Sequence, residues 1–299
     1  MSLPDLIGKQ GVAGFDLDFD NVNKVIVADF RESTAVLTAI ASDISRFASA
    51  AFQTIQQVPG DVLDKDRTAW GIIQSYYAAY YAGHAILRLV GESCSYFDRS
   101  HISRINRLGM ALGKVPSFPL SATAYHCVID TTSTVVRSSS LRDGAGGAHE
   151  VFWNTFGIRL RKISEGVLLG HLGENERQEV FGKLEDLRRN ICAENAHLFN
   201  HLSAIRNEVQ YRHAREVWLP TSLRKTDREQ LSRLVGQWKR DPMAVDLGNI
   251  SLGSLGKFSV TCAFLVSLCV GLLKRIAERS PTPARSFARL GPLAIISKR

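Results

Sequence analysis

The sequence predicts a mainly α-helical bundle interrupted by an inserted loop region with the makings of a small β-hairpin. Three observations carry that expectation. Several long stretches repeat apolar residues at three- and four-residue spacing, and Phe258–Leu273 is almost uncharged. Between them lies a middle segment where proline, serine and β-branched residues replace the helical period. With 299 residues and 45% hydrophobic content the chain can bury a substantial core, and 22% charged residues exclude pervasive disorder.

Taken in order, residues 1–60 read as an N-terminal helical segment, with mixed three and four spacing from Val25 to about Gln57 and a break at Pro59-Gly60. The acidic stretch Asp61 to Asp66 then resembles a cap for WGIIQSYYAAYYAGHAILRLVGE. There Trp70, Ile73, Tyr77, Tyr81 and Leu87 or Arg88 fall near one helical stripe. Residues 61–95 and 156–280 are expected to form the helical bundle, with 96–155 as the insertion. In that insertion Pro116 and Pro119 bracket a loop, YHCVIDTTSTVVRSSS has hairpin composition, and DGAGGAHE reads as a turn. Helical spacing returns at Ile158–Leu169 and in a long run from Asn175 to Trp218, which Pro220 and Thr221 end. A polar basic linker follows to about Pro242, and the tail 281–299 reads as irregular. Phe258–Leu273 falls short of the roughly 20 apolar residues of a spanning helix. It also contains Ser259, Thr261 and Ser267, and is expected to be a buried core helix.

Lys and Arg outnumber Asp and Glu by 37 to 29, for a net charge of +8. That balance favours encounter with a polyanion such as RNA, although solubility alone calls for as much. The five cysteines are odd in number and none forms a C-x-x-C pair, so they read as reduced thiols without a zinc site. MSLPDLIGKQG lacks the basic and apolar regions of a signal peptide, and a cytoplasmic setting is the expectation.

The chemistry-bearing stretch is HLSAIRNEVQYRHAREVW, residues 201–218. Arg206 and His213 are seven positions apart, close to two turns, so a continuous helix would project both from one face about 10 Å apart along its axis. Asn207 sits at the edge of that face, able to orient a neighbour or a phosphate, and Gln210, Tyr211 and Arg212 lie between as expected substrate-binding residues. The bland alternative is a solvated helix face on which Glu208 and Arg212 pair locally. His197 and His201 have a four-residue spacing with Glu194 nearby, but ENAHLFNH is not H-E-x-x-H, and no metal is expected. His84 reads as a packed core histidine. His149-Glu150 has no second ligand, and GAGG lacks the Gly-Lys-Ser or Gly-Lys-Thr of a phosphate loop.

Arg206, a polar neighbour and His213, reading RNEVQYRH, resemble the R-x(4-6)-H motif of the HEPN superfamily, and SYYAAYYAGHAILRL resembles that family's aromatic and alanine-rich partner helix. The resemblance covers Asp64–Gly91, Asn175–Trp218 and the Phe258 helix. It implies a HEPN-like bundle that cleaves RNA without metal or other cofactor, as a toxin or antiviral-defence effector. It further implies a homodimer bringing two copies of the motif to one cleft, and a regulatory or antitoxin protein as partner. Arg206 would bind phosphate, Asn207 would orient it, and His213 would act as general acid and base. Members modified by a partner nucleotidyltransferase carry a Tyr shortly after the His. Here Ala214 and Arg215 follow, and Tyr211 lies inside the motif. A non-catalytic RNA- or protein-binding scaffold is the alternative reading.

Overall fold

The computed structural model describes residues 2–8, 14–130, 134–141, 147–171, 173–192, 198–221, 223–248, 252–280 and 287–297. In chain order they form α1 (Leu3–Gly8), β1 (Phe15–Asp20), β2 (Val25–Phe30), α2 (Ser33–Ile55), α3 (Val58–Leu63), α4 (Thr68–Leu89), β3 (Glu92–Phe97) and α5 (Arg99–Ala111). There follow β4 (Thr123–Asp130), β5 (Val135–Ser140), α6 (Ala148–Leu168), α7 (Glu174–Ile191), α8 (His201–Arg212), α9 (Lys225–Gly236), α10 (Gly253–Arg279) and α11 (Pro292–Ser297). Helix accounts for 64% of the described residues, which also form one small antiparallel sheet, so the chain is mainly α. Two compact units emerge, Met1–Arg46 with His84–Val151 and Phe47–Gly83 with Phe152–Arg299. Their limits are not those of the segments 1–60, 61–95 with 156–280, and 96–155, because α2, α4 and α6 each give residues to both units.

The first unit is built on the sheet, in the order β1-β2-β5-β4-β3 with every neighbouring pair antiparallel. Phe15–Asp20 and Val25–Phe30, expected as part of a helical segment, are strands instead. FDLDFD and VIVADF alternate with period two, which buries Leu17, Phe19, Ile26, Ala28 and Phe30 and leaves Asp16, Asp18 and Asp29 outside. The Asp20 carboxylate closes the turn between them by accepting hydrogen bonds from the backbone N–H of Val22 and Asn23. Within the expected insertion, β4 and β5 do form a hairpin, but as interior strands of the five-stranded sheet. β3 is buried along nearly its whole length, and α1 and α5 pack against it. Asp98 caps α5 by accepting from the N–H of Ser100 and His101.

In this unit α2 and α4 contribute a buried ion pair. Asp43 Oδ2 lies 3.4 Å from Arg88 Nε, with side chains 1% and 3% exposed. Arg88 also donates to Ser95 Oγ at 3.3 Å and to the His84 carbonyl at 3.1 Å. Its Nη1 lies 3.3 Å from His84 Nδ1, and since a guanidinium only donates, that nitrogen is the acceptor. Burial and the neighbouring Arg88 hold His84 well below the ordinary histidine range, so the ring is neutral. His84 therefore serves a polar cluster of the sheet unit, with Arg88 as its hydrogen-bond partner.

The second unit surrounds α10. From Phe258 to Val266 every residue is buried, which marks a helix enclosed on all sides. Thr261 Oγ1 donates to the Lys257 carbonyl at 2.6 Å and Ser267 Oγ to the Arg240 carbonyl at 2.7 Å, so these hydroxyls enter the core satisfied. By length and composition two stretches, Ser33–Leu63 and Gly253–Arg279, suffice to cross a membrane; 44% and 67% of their apolar windows are buried inside the structure. Residues expected as a basic linker contain α9, whose Leu231 and Val235, one turn apart, are buried as it packs on α3 and α10. In the tail expected to be irregular, 292–297 form α11, with Pro292 and Leu293 buried. No disulfide joins any of the five cysteines, and burial lifts the Cys269 thiol to about 12.

Candidate functional site

The site is assembled in the second unit on α8 and the adjoining turn of α4. Leu202, Ile205 and Val209 of α8 are buried at three- and four-residue spacing, and Arg206, four on from Leu202, falls within that apolar stripe. Its entry is fixed by Phe199, whose N–H donates to Asn154 Oδ1 at 3.2 Å and whose ring lies against Gly157. A Cβ at Gly157 would come within 2.1 Å of that ring, so only glycine lets the ring approach. Arg206 is thus delivered into the protein, 4% exposed.

What surrounds its guanidinium is aromatic and neutral. Cζ lies 5.0, 5.8 and 5.7 Å from the ring centroids of Tyr76, Tyr77 and Tyr211. Nη1 donates to Tyr211 Oη at 3.3 Å and to Gln210 Oε1 at 3.4 Å, while the buried Nε has no hydrogen-bond partner. Tyr76 supplies no counter-charge: burial raises its pKa far above the ordinary phenol range, and its hydroxyl accepts from Trp153 Nε1 at 3.0 Å. No carboxylate among the described residues pairs with Arg206. Desolvated cation–π contacts are worth about 2 kcal/mol each, and burying one ion costs several. The rings offset part of that cost without neutralising the charge, so an anion placed here would be stabilised.

His213 lies elsewhere than a continuous helix would put it. α8 ends at Arg212, and His213 is its C-cap in the left-handed region at φ 49°. The expectation of two side chains on one helical face is corrected accordingly, since the chain leaves the helix one residue before completing the second turn. Arg215 and Glu216 are also left-handed, at φ 75° and 53°. Three non-glycine residues of this kind within four positions store about 1 to 3 kcal/mol each. Arg215 holds the turn through Glu208, with Nε 2.7 Å from Oε2, and through Ser254. Trp218 Nε1 donates to the Val209 carbonyl at 2.7 Å, and the His213 ring rests 5.3 Å from the Trp218 ring, which in turn meets Trp70 edge-on at 5.6 Å.

Of the remaining expected residues, Asn207 and Arg212 are exposed with no partner among the described residues, Gln210 is half-buried and Tyr211 is 67% exposed. The structure therefore brings Gln210 and Tyr211 to Arg206, and leaves Asn207, Arg212 and His213 facing solvent. Glu208 pairs with Arg215 and not with Arg212. Sequence reasoning missed the roles of Tyr76, Trp218, Trp70 and Arg215; the tyrosine-rich stretch was the signal for the first, and nothing local marks the others. His197 and Glu194 lie outside the described residues, and among the described residues no group of three metal-binding side chains occurs. No family model, curated protein or solved structure matches this chain.

Proposed function

We propose that this protein is a metal-independent endoribonuclease of HEPN type, with Arg206 holding a phosphate and His213 moving the proton. The observation that carries this reading is the buried Arg206 guanidinium with three surrounding tyrosines and no carboxylate partner among the described residues. An RNA phosphate supplies the missing negative charge, and the planar fork suits two of its oxygens. Tyr211, exposed and bonded to Nη1, is the side chain that must yield to admit it. The strained turn at His213 adds support, because such backbone clusters at sites of function.

In the reaction His213 takes the proton from a ribose 2′-hydroxyl as that oxygen attacks the adjacent phosphorus. The bond from phosphorus to the 5′ oxygen breaks, a second copy of His213 in a homodimer returns a proton to that oxygen, and a 2′,3′-cyclic phosphate results. Arg206 stabilises the charge on the phosphoryl oxygens, while Asn207 and Arg212, exposed on the same helix, orient the backbone. A cytoplasmic toxin or defence effector with a regulatory or antitoxin partner is the setting that goes with this activity.

The 4% exposure of Arg206 favours a second reading, a non-catalytic scaffold that binds RNA or protein on the same surface. Incubating total RNA with the protein in excess EDTA separates the two. Cleavage leaving 2′,3′-cyclic phosphate ends is expected, reduced by about 10² to 10⁴ in His213→Asn and by a similar factor in Arg206→Gln. Equal cleavage by all three proteins would show that the chemistry lies elsewhere, and retention of intact RNA would establish the scaffold.

A further inference from the structure

The sheet unit carries a second feature that the site on α8 does not use. One face of α5 and the chain before β4 enclose a groove of about 630 Å³ that includes Arg99, Arg107 and Tyr96. A second cavity of about 250 Å³, which includes Lys24 and Phe118, shares Ser121 with it. None of the described residues lining either cavity is acidic. Arg99, Arg107 and Lys24 are all exposed, and none has an ion pair or hydrogen bond among the described residues. Arg99 and Arg107 are eight residues apart on one helix, about 12 Å along its axis. Tyr96, 63% exposed, presents a ring at the same groove. Three neighbouring acids are already engaged: Asp98 caps α5, Asp18 Oδ2 lies 3.2 Å from Lys114 Nζ, and the Asp20 carboxylate accepts from the backbone and side chain of Asn23 at the second cavity.

From this arrangement we infer that the two cavities form one track for single-stranded RNA, separate from the α8 site. Unpaired cations spaced along a groove follow a sugar-phosphate backbone, and an exposed aromatic ring accepts a base face without regard to sequence. Duplex RNA would keep its bases stacked and leave Tyr96 unused, so single strands are the preferred form. The inference rests on the RNA reading given above, and it assigns the sheet unit the task of holding substrate.

Fluorescence anisotropy with a labelled 2′-O-methyl oligouridine tests it, because that probe lacks the attacking hydroxyl and survives any cleavage. Arg99→Gln with Arg107→Gln is expected to weaken binding at least tenfold and to flatten the dependence of log Kd on log salt by about 1.4, the value for two lost phosphate contacts. Tyr96→Ala is expected to weaken binding about tenfold without changing that slope. Lys274→Gln with Arg275→Gln, an exposed pair on α10, serves as the charge control and is expected to change Kd less than twofold. Equal weakening by the control would overturn the inference, as would tight binding by both groove variants, no binding by the parent, or binding of poly-glutamate in its place. If the groove variants bind normally while the parent cleaves RNA, the track fails and the nuclease reading stands. Groove-dependent binding without cleavage has the opposite meaning.

Discussion

Two buried arginines, one in each unit, present opposite solutions to the same physical problem. Arg88 sits in the sheet unit with Asp43 at 3.4 Å, Ser95 and the His84 carbonyl around it. Arg206 sits in the helical unit among Tyr76, Tyr77, Tyr211 and Gln210, with no carboxylate among the described residues. Burying a cation costs several kcal/mol, and only the first arrangement returns it through an opposite charge. A compensated cation is explained by the fold; an uncompensated one calls for a ligand. That contrast is what supports the phosphate-binding role proposed for Arg206 and a structural one for Arg88.

The largest effect that can break the contrast is Asp43→Asn. It strands Arg88 without a counter-charge, and a loss of about 3 to 5 kcal/mol is expected in urea unfolding; a loss under 1 kcal/mol would remove the structural role given to the pair. Acid gives the next largest effect. His84 is held neutral in the folded protein, well below its unfolded value near 6.5. The unfolded chain therefore binds more protons below about pH 6.5, and each unit of further acidification removes up to about 1.4 kcal/mol. His84→Gln should flatten the stability profile between pH 6.5 and 5, and an unchanged slope would place the proton uptake on another group. Replacing Arg206 by Met is expected to keep stability within about 1 kcal/mol, since it strands no charged partner and the buried Tyr76 hydroxyl keeps its bond from Trp153 Nε1, while removing phosphate binding. A loss as large as that of Asp43→Asn would make the two arginines equivalent. Smallest of all, His213→Gly relieves a left-handed backbone and should raise stability by about 0.5 to 1 kcal/mol in the same assay, at the cost of cleavage.

Much of the fold was legible where periodicity was strong. The tyrosine-rich segment is α4 and the uncharged run is the centre of α10, both because long apolar patterns leave few alternatives. FDLDFD alternates strictly, the pattern of a strand, but it was placed in the N-terminal helical segment, and the β2 segment VIVADF was taken into the helix that starts eight residues later at Ser33. The helix α9 was obscured by its charges, because two buried residues, Leu231 and Val235, are too few to show a stripe. Within the site, the position of Arg206 follows from Leu202, Ile205 and Val209, whereas the end of α8 does not. No glycine or proline occurs between Arg206 and Leu219 to signal it.

The sequence by itself therefore determined the mainly helical class and the faces of the long helices, both of which depend on residues close together in the chain. Only the tertiary structure decided that β1 and β2 join β5, β4 and β3 in one sheet, that His213 turns out of its helix, and that Arg88 meets a carboxylate while Arg206 meets three tyrosines. The reason is electrostatic as much as geometric. The free energy of a buried charge depends on which groups surround it, and those groups come from α2, α4 and α8, far apart in sequence.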